Sequence, residues 1–392
     1  MRKIIVFIII FFFIGAGVIP SISGSNTDIN IPIYSKTIFV DDDFIDDPPN
    51  HRWNTIAKGL NDSDDGDLIR VYDGYYTEIL EVDKSVKIEG NGSHCTTIDG
   101  NYIGTILNIT KNGVTISGFE LKNSGDKGDQ MKAIEVWHSN NIQIYENNFT
   151  NNVMDLVISF CEGYQGTIDV YNNNFTEGRS TNWGVVPCMS IGKIKEEDFL
   201  IRNNRFFNKK IGSYLLDSNG LTISENHFEN CDVARRFING NSNEIIGNEI
   251  ILTSQDGIAG ILLVENSGDN RILYNYINST EDYKYDVGLE IQGFCNTNTI
   301  KYNNFYINKI ALRSQFSFFN IITWNNFWDS SSGWDLWSVL SVNCYWWNFW
   351  NQDKGPFGRV FSPGALLFCI PWSPWPWQNW DHWPPWEEDK NN

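Results

Sequence analysis

Two glutamates and one arginine are the side chains whose spacing could do chemistry in this sequence. The segments Ile261-Leu262-Leu263-Val264-Glu265, Gly288-Leu289-Glu290-Ile291-Gln292 and Ala311-Leu312-Arg313 read as successive copies of one short strand, with Ala133-Ile134-Glu135-Val136-Trp137 as an earlier copy. In a strand, alternate side chains take opposite faces. With Leu262, Val264, Leu289 and Ile291 inward, Glu265, Glu290, Gln292 and Arg313 face outward on adjoining strands. A two-residue offset and one strand spacing then put the Cα atoms of Glu265 and Glu290 about 8 Å apart, which suits an inverting pair of carboxylates. Glu290 also falls beside Arg313, and a solvated cross-strand ion pair is the commoner use of such neighbours.

Other candidates are weighed the same way. Asp41, Asp42 and Asp43, with Asp46 and Asp47 nearby, could hold calcium, and Asn61-x-Ser63-x-Asp65-Gly66 resembles the start of an EF-hand loop. Tyr72 stands where that loop needs a bidentate glutamate, so acidic turns are the preferred reading. His51, His94, His138, His227 and His382 share no register, and the seven cysteines make neither a C-x-x-C pair nor a zinc spacing. Cys161 and Cys188 lie one repeat apart and could stack on adjacent coils, as a disulfide or as two small core residues. Thirteen of the 16 tryptophans fall between Trp324 and Trp386. Trp375, Trp377 and Trp380 are candidates for stacking on sugar rings, while Trp328, Trp346 and Trp350 are expected to cap the end of the fold.

All these residues must be positioned by a repeat. A template of apolar or Asn, any, apolar, two of any, Asn, any, then Phe or Ile recurs eight times, with key asparagines Asn147, Asn173, Asn204, Asn226, Asn248, Asn275, Asn303 and Asn325. Their intervals are 26, 31, 22, 22, 27, 28 and 22, a minimum of 22 lengthened by insertions. Two weaker copies precede them, at Val86-x-Ile88 and at Val114-x-Ile116 with Phe119 and Leu121. The Ile-x-Ile alternation calls for short strands that cannot bury an apolar face alone and must stack coil on coil. The expected fold is therefore all-β, a single-stranded right-handed parallel β-helix of about ten coils with N- and C-terminal caps. Asparagine at each bend tolerates left-handed angles and bonds its neighbours, so the eight are expected to form a structural ladder.

These residues, with Ile38-Phe39-Val40-Asp41-Asp42-Asp43 and the stretch Gly66 to Glu78 as the way in, resemble the parallel β-helix repeat proteins of the pectin-lyase-like superfamily, in particular the NosD-like, carbohydrate-binding and sugar-hydrolase-like branch. The resemblance covers about residues 38 to 362. It implies a polysaccharide-facing outer sheet or, from the NosD side, a copper-delivery accessory to nitrous-oxide reductase. The Gly-His-Gly, Asp-Asp and Arg-Ile-Lys motifs of polygalacturonase-like families are absent from the repeat strands, and beyond the first residues the only methionines are Met131, Met154 and Met189. One fold carries many activities.

Residues 1–24 read as a signal peptide, with Arg2 and Lys3, an apolar run from Ile4 to Val18 and small residues at Ser21 and Ser23. Residues 25–67 then form an N-terminal lead-in and cap, 68–328 the coils, and 329–392 a Trp/Pro-rich cap and tail. The formal charge of −19 argues against nucleic acid or an anionic membrane as partner. The expectation is a secreted or cell-surface protein, non-catalytic, without cofactor unless calcium, displaying loops or binding a cell-envelope glycan. A polysaccharide lyase, hydrolase or epimerase is the alternative, with copper delivery third. Mass spectrometry of the exported protein should find an N-terminus near Ser23 to Ser25; an intact Met1 on the exported chain would refute cleavage there.

Overall fold

Short alternating segments do assemble into stacked coils, described here from a computed structural model. The structure describes residues 35–125, 131–159, 166–176, 178, 189–191, 199–253, 259–279, 287–306, 308, 310–328, 334–339, 341–346, 348–350 and 360–361. Each coil gives one strand to each of three parallel sheets. The first sheet has 14 strands, starting at Arg52–Trp53 and Thr37–Val40 and ending at Val342–Trp346. The second and third have 12 each, running from Gly74–Thr77 to Phe349–Trp350 and from Leu80–Val82 to Val360–Phe361. Neighbours in every sheet come from successive coils, so the architecture is a parallel β-helix. Among the described residues twelve coils stand where ten were expected. The extra ones begin at Leu68 and Val342, where the template's apolar spacing is broken.

The core is built in columns. Phe149, Phe175, Phe206 and Phe228 stack ring on ring at 4.5 to 4.7 Å, and Ile250, Ile277, Phe305 and Phe327 continue the column under full burial. Small residues opposite make the room: a Cβ on Gly212 would sit 2.6 Å from the Phe228 ring, and one on Gly288 2.7 Å from Phe305.

The eight ladder asparagines are buried and bonded in series. The backbone N–H of Asn204 donates to Oδ1 of Asn226 at 3.0 Å, and Asn226 donates likewise to Asn248. The amide Nδ2 of Asn226 also reaches the carbonyls of Ile201 and Ser224. Asn348 extends the series. A second ladder, Asn243, Asn270, Asn298, Asn320 and Asn343, starts the first-sheet strands with the same geometry. Each side chain supplies the partner that a bend denies to buried backbone groups. The left-handed angle is not theirs, however. It belongs to the residue before each: Glu146, Asn172, Asn203, Glu225, Gly247, Tyr274, Tyr302 and Trp324 have φ between 53° and 63°.

Helical periodicity is absent from the repeat, yet a helix spans Ile56–Asp62 and covers the open N-terminal coil. Ile56 and Leu60 are buried, and Gly59 packs so closely on Val40 that a Cβ would come within 2.8 Å. Glu78 accepts from the first two helical N–H groups, while Lys84 Nζ donates to the carbonyls of Leu60, Asn61 and Ser63. Opposite charges thus meet the two ends of the helix dipole. At the other end Trp328 lies outward on the second sheet, 47% exposed, rather than forming a cap. Backbone register puts Trp350 on the column of Phe327 and Trp346 on that of Thr323.

Candidate functional site

The candidate residues lie on the outer face of the third sheet, beside which coil length varies in the later coils. Steps of 27, 28, 22 and 23 residues recur in both asparagine ladders, so from Asn243 onward the first sheet and its corner with the second have constant length. Segments 126–130, 177–188, 254–258, 280–286 and 329–333 all fall between a second-sheet strand and the third-sheet strand that follows.

On that face the structure reverses one expected orientation. Ile261, Leu263, Leu289 and Ile291 enter the central core, whereas Leu262 and Val264 join Ile211, Val233 and Ile238 in a second apolar cluster on the other side of the sheet. Four apolar residues in a row carry no period-two signal, so alternation could not say which pair points in. Register then places Tyr214, Arg236, Leu262, Glu290 and Arg313 in one outward column. Arg313 Nη1 donates to Glu290 Oε1 at 3.2 Å, and Glu290 is 5% exposed. The Arg236 guanidinium lies 5.7 Å from the Tyr214 ring centre. Burial pushes the Tyr214 hydroxyl above its usual pKa, with Arg236 opposing.

Glu265 is not brought to Glu290. It stands beyond the strand in a left-handed turn, φ 50°, and is exposed. The strand pairing, continued past Leu263 and Ile291, sets it opposite Gly293, whose added Cβ would lie 3.4 Å from Glu265 N. The offset from Glu290 is three residues rather than two, about 11 Å between Cα atoms. The arrangement is an ion pair between buried Glu290 and half-buried Arg313, with Glu265 a separate, exposed carboxylate.

The remaining candidates fall as follows. Asp41, Asp42 and Asp43 place ligand oxygens within 4.8 Å of one another, and among the described residues they are the only such group of His, Cys, Asp and Glu. The Asp42 carboxylate also accepts from Tyr75 N, and Asp41 from Asp43 N. In the EF-hand-like stretch, Ser63 donates to Leu60 O and Asp65 accepts from Ser85 N, so both serve the N-terminal cap. His51 bonds Asp62, and His227 lies between Glu229 and Glu249. Burial pushes the Cys231 thiol up to about 12 and Cys295 up to about 11, which makes them inert core residues. Residues 1–24, Cys161, Cys188, His382, Trp375, Trp377 and Trp380 lie outside the described residues.

One surface escaped the sequence reading. Three corner columns hold left-handed backbone throughout, and their residues change from polar or glycine to aromatic in the later coils. Gly247 gives way to Tyr274, Tyr302 and Trp324; Asn239, Glu265 and Gly293 to Phe316; Ser242, Asp269 and Thr297 to Phe319. Left-handed angles disfavour bulky side chains, so the turn itself does not ask for rings there. Tyr274 and Tyr302 stack at 5.0 Å. Phe294, Phe316 and Phe319 are 59%, 46% and 67% exposed, and Ile321 and Trp324 continue the strip across the outer face of the first sheet. The signal was present in the sequence, but only as aromatics at three positions of the repeat that elsewhere take Asn, Asp, Glu, Ser, Thr or Gly.

The three parallel sheets and the asparagine ladders define this chain's fold as a parallel β-helix. The family described as periplasmic copper-binding protein (NosD) matches residues 190–292. Among solved structures, the alginate lyase AlyF-OU02 with G6 aligns at TM-score 0.54 and 12% identity, covering 80% of each chain. The periplasmic alginate epimerase AlgG aligns at 0.52 and 13%, covering 76% of this chain and 77% of its own. A DFA-IIIase from Arthrobacter chlorophenolicus A6, without its lid and in complex with GF2, aligns at 0.50 and 13%, covering 72% and 84%. No curated protein matches in sequence. Among the described residues the one cluster of three or more His, Cys, Asp or Glu ligating groups is Asp41, Asp42 and Asp43, hard oxygen donors that suit calcium better than copper.

Proposed function

We propose that the protein is an extracytoplasmic, non-catalytic β-helix that binds a neutral glycan along the aromatic strip of its last coils. The observation that carries this is the replacement of turn-forming residues by exposed aromatics at three corner columns, ending in Phe316, Phe319 and Trp324. Ring faces and edges suit the apolar faces of sugar rings, and exposed patches of this kind mark binding surfaces. Two neighbours are named for alginate, and the matched family is named as periplasmic, which supports a saccharide ligand and an extracytoplasmic site. The charge of −19 points away from polyanions and towards neutral chains. Glu290, tied to Arg313, is read as structural.

A glycan array and depolymerisation screen of the full chain, with and without calcium, tests this. The expected result is retention of neutral glycans without turnover, weakened at least about tenfold by Phe319→Ser or Trp324→Ser, equivalent to about 1.4 kcal/mol. Release of reducing ends or unsaturated sugars, abolished by Glu265→Gln or Glu290→Gln, would overturn the non-catalytic reading.

A further inference from the structure

A recess of about 250 Å³ opens at the other end of the molecule, where the first sheet turns into the second in the early coils. The corner column that carries Glu146, Asn172, Asn203 and Glu225 in later coils is stripped of side chains here. The strand residues Glu89, Ser117 and Tyr145 are in register, and the positions after them are Gly90, Gly118 and Glu146. Gly118 has φ +79°, and a Cβ on it would meet Gly90 O at 2.5 Å, so the two backbones lie in direct contact and form a bare floor. Gly92 bonds Gly118 O and closes one side.

The walls are polar. Glu89 is held by Arg70 at 2.9 Å and by Lys87 at 3.0 Å, so its carboxylate is fixed in place and neutralised. Glu146 stands over the recess from the coil two steps on, in an exposed left-handed turn. Asn91 gives its amide to Asp73 at 2.7 Å, which fixes its side chain, and Ser93, His94 and buried Ser117 complete the lining. No apolar side chain lines the recess, which disfavours a hydrophobic ligand. Exposed Glu146, with no lysine or arginine in the lining, disfavours an anion. The carboxylates and His94 do not form a group of ligating atoms within 4.8 Å, which disfavours a metal ion. The fixed Glu89 carboxylate beside the polar groups of Glu146, His94, Ser93 and Ser117, at a size below the roughly 300–1,000 Å³ of drug-sized pockets, matches one ring bearing several hydroxyls.

We propose that this notch binds a single neutral hexose unit, such as a chain end, through Glu89, Glu146 and His94. The proposal rests on the glycan reading above and adds a second site of different size and chemistry. The test is titration of the full chain with methyl α- and β-hexopyranosides by saturation-transfer NMR and calorimetry, beside the polymer array. Glu146→Ala and His94→Ala should each weaken hexoside binding about tenfold or more, while Glu225→Ala, at the same column outside the recess, should bind like the parent. Phe319→Ser should leave hexoside binding intact. Hexoside binding unaffected by Glu146→Ala and His94→Ala overturns the notch. Polymer binding without any hexoside binding overturns the notch alone; absence of both overturns the glycan reading with it.

Discussion

Replacing Phe228 with alanine is expected to destabilise the protein by about 3–5 kcal/mol. The ring is fully buried and lies 4.5 Å from that of Phe206, nearly parallel. The guanidinium of Arg235, itself buried within the helix, sits 4.6 Å over the same ring while its Nη1 donates to Ser213. Removing the ring therefore opens a cavity and strips a cation of the aromatic face beneath it, so the upper part of the range applies. Collapse cannot fill the void, because the first ladder pins the stacked backbones above and below it. Urea unfolding should show the loss. Amide exchange should localise it to the coil of His227–Glu229 and its neighbours, since each coil in a solenoid leans only on the next. A loss under about 1 kcal/mol would mean that Phe228 does not fill the core as described.

Lys209→Met should cost about 3–5 kcal/mol for a different reason. Lys209 Nζ meets Asp155 Oδ2 at 2.6 Å and Thr176 O at 3.0 Å, and both charged side chains are almost wholly buried. The pair skips one coil, joining residues 54 apart in sequence. Burial pushes the Asp155 carboxyl above its ordinary value, and the ammonium opposes that shift. Without the ammonium, the upward push of burial is opposed only by the hydrogen bond from the Asn152 amide. A carboxyl with a raised folded pKa favours folding while protonated, so Lys209→Met should be most stable below the ordinary carboxylate pKa of 3.8 and lose stability as pH rises through the folded value. The double variant Lys209→Met/Asp155→Leu should recover most of the loss and lose that pH dependence. Equal instability of single and double variants would show that shape, not uncompensated charge, was the cost.

Much of the fold was legible because a β-helix repeats its own constraints. Period-two alternation at Ile142-x-Ile144 or Leu221-x-Ile223, followed at constant distance by asparagine and phenylalanine, can be satisfied only by stacking identical bends. That recurrence named the inner columns and the first ladder from residue type alone. The second ladder was visible as Asn243, Asn270, Asn298 and Asn320 at the first template position, but its role needed the bonds across coils. The site was less legible. In Ile261-Leu262-Leu263-Val264 both faces are apolar, so sequence carried no sign for inward and outward, and the placement of Glu265 against Glu290 followed from that undetermined choice.

What the residues determined alone is what nearest neighbours along the chain enforce: strand alternation, the interval of one coil, the bends, the acidic charge and the aromatic enrichment near the end. What only the tertiary structure decided is whatever depends on contact between coils. Register set Leu262 beside Glu290 and Glu290 beside Arg313; two successive glycines left a notch under Glu146; and Lys209 found Asp155 across an intervening coil. Those pairings join residues about 20 to 50 positions apart. No local propensity encodes them, because the energy that selects them, burial of a shared face and satisfaction of buried polar groups, exists only once the coils are stacked.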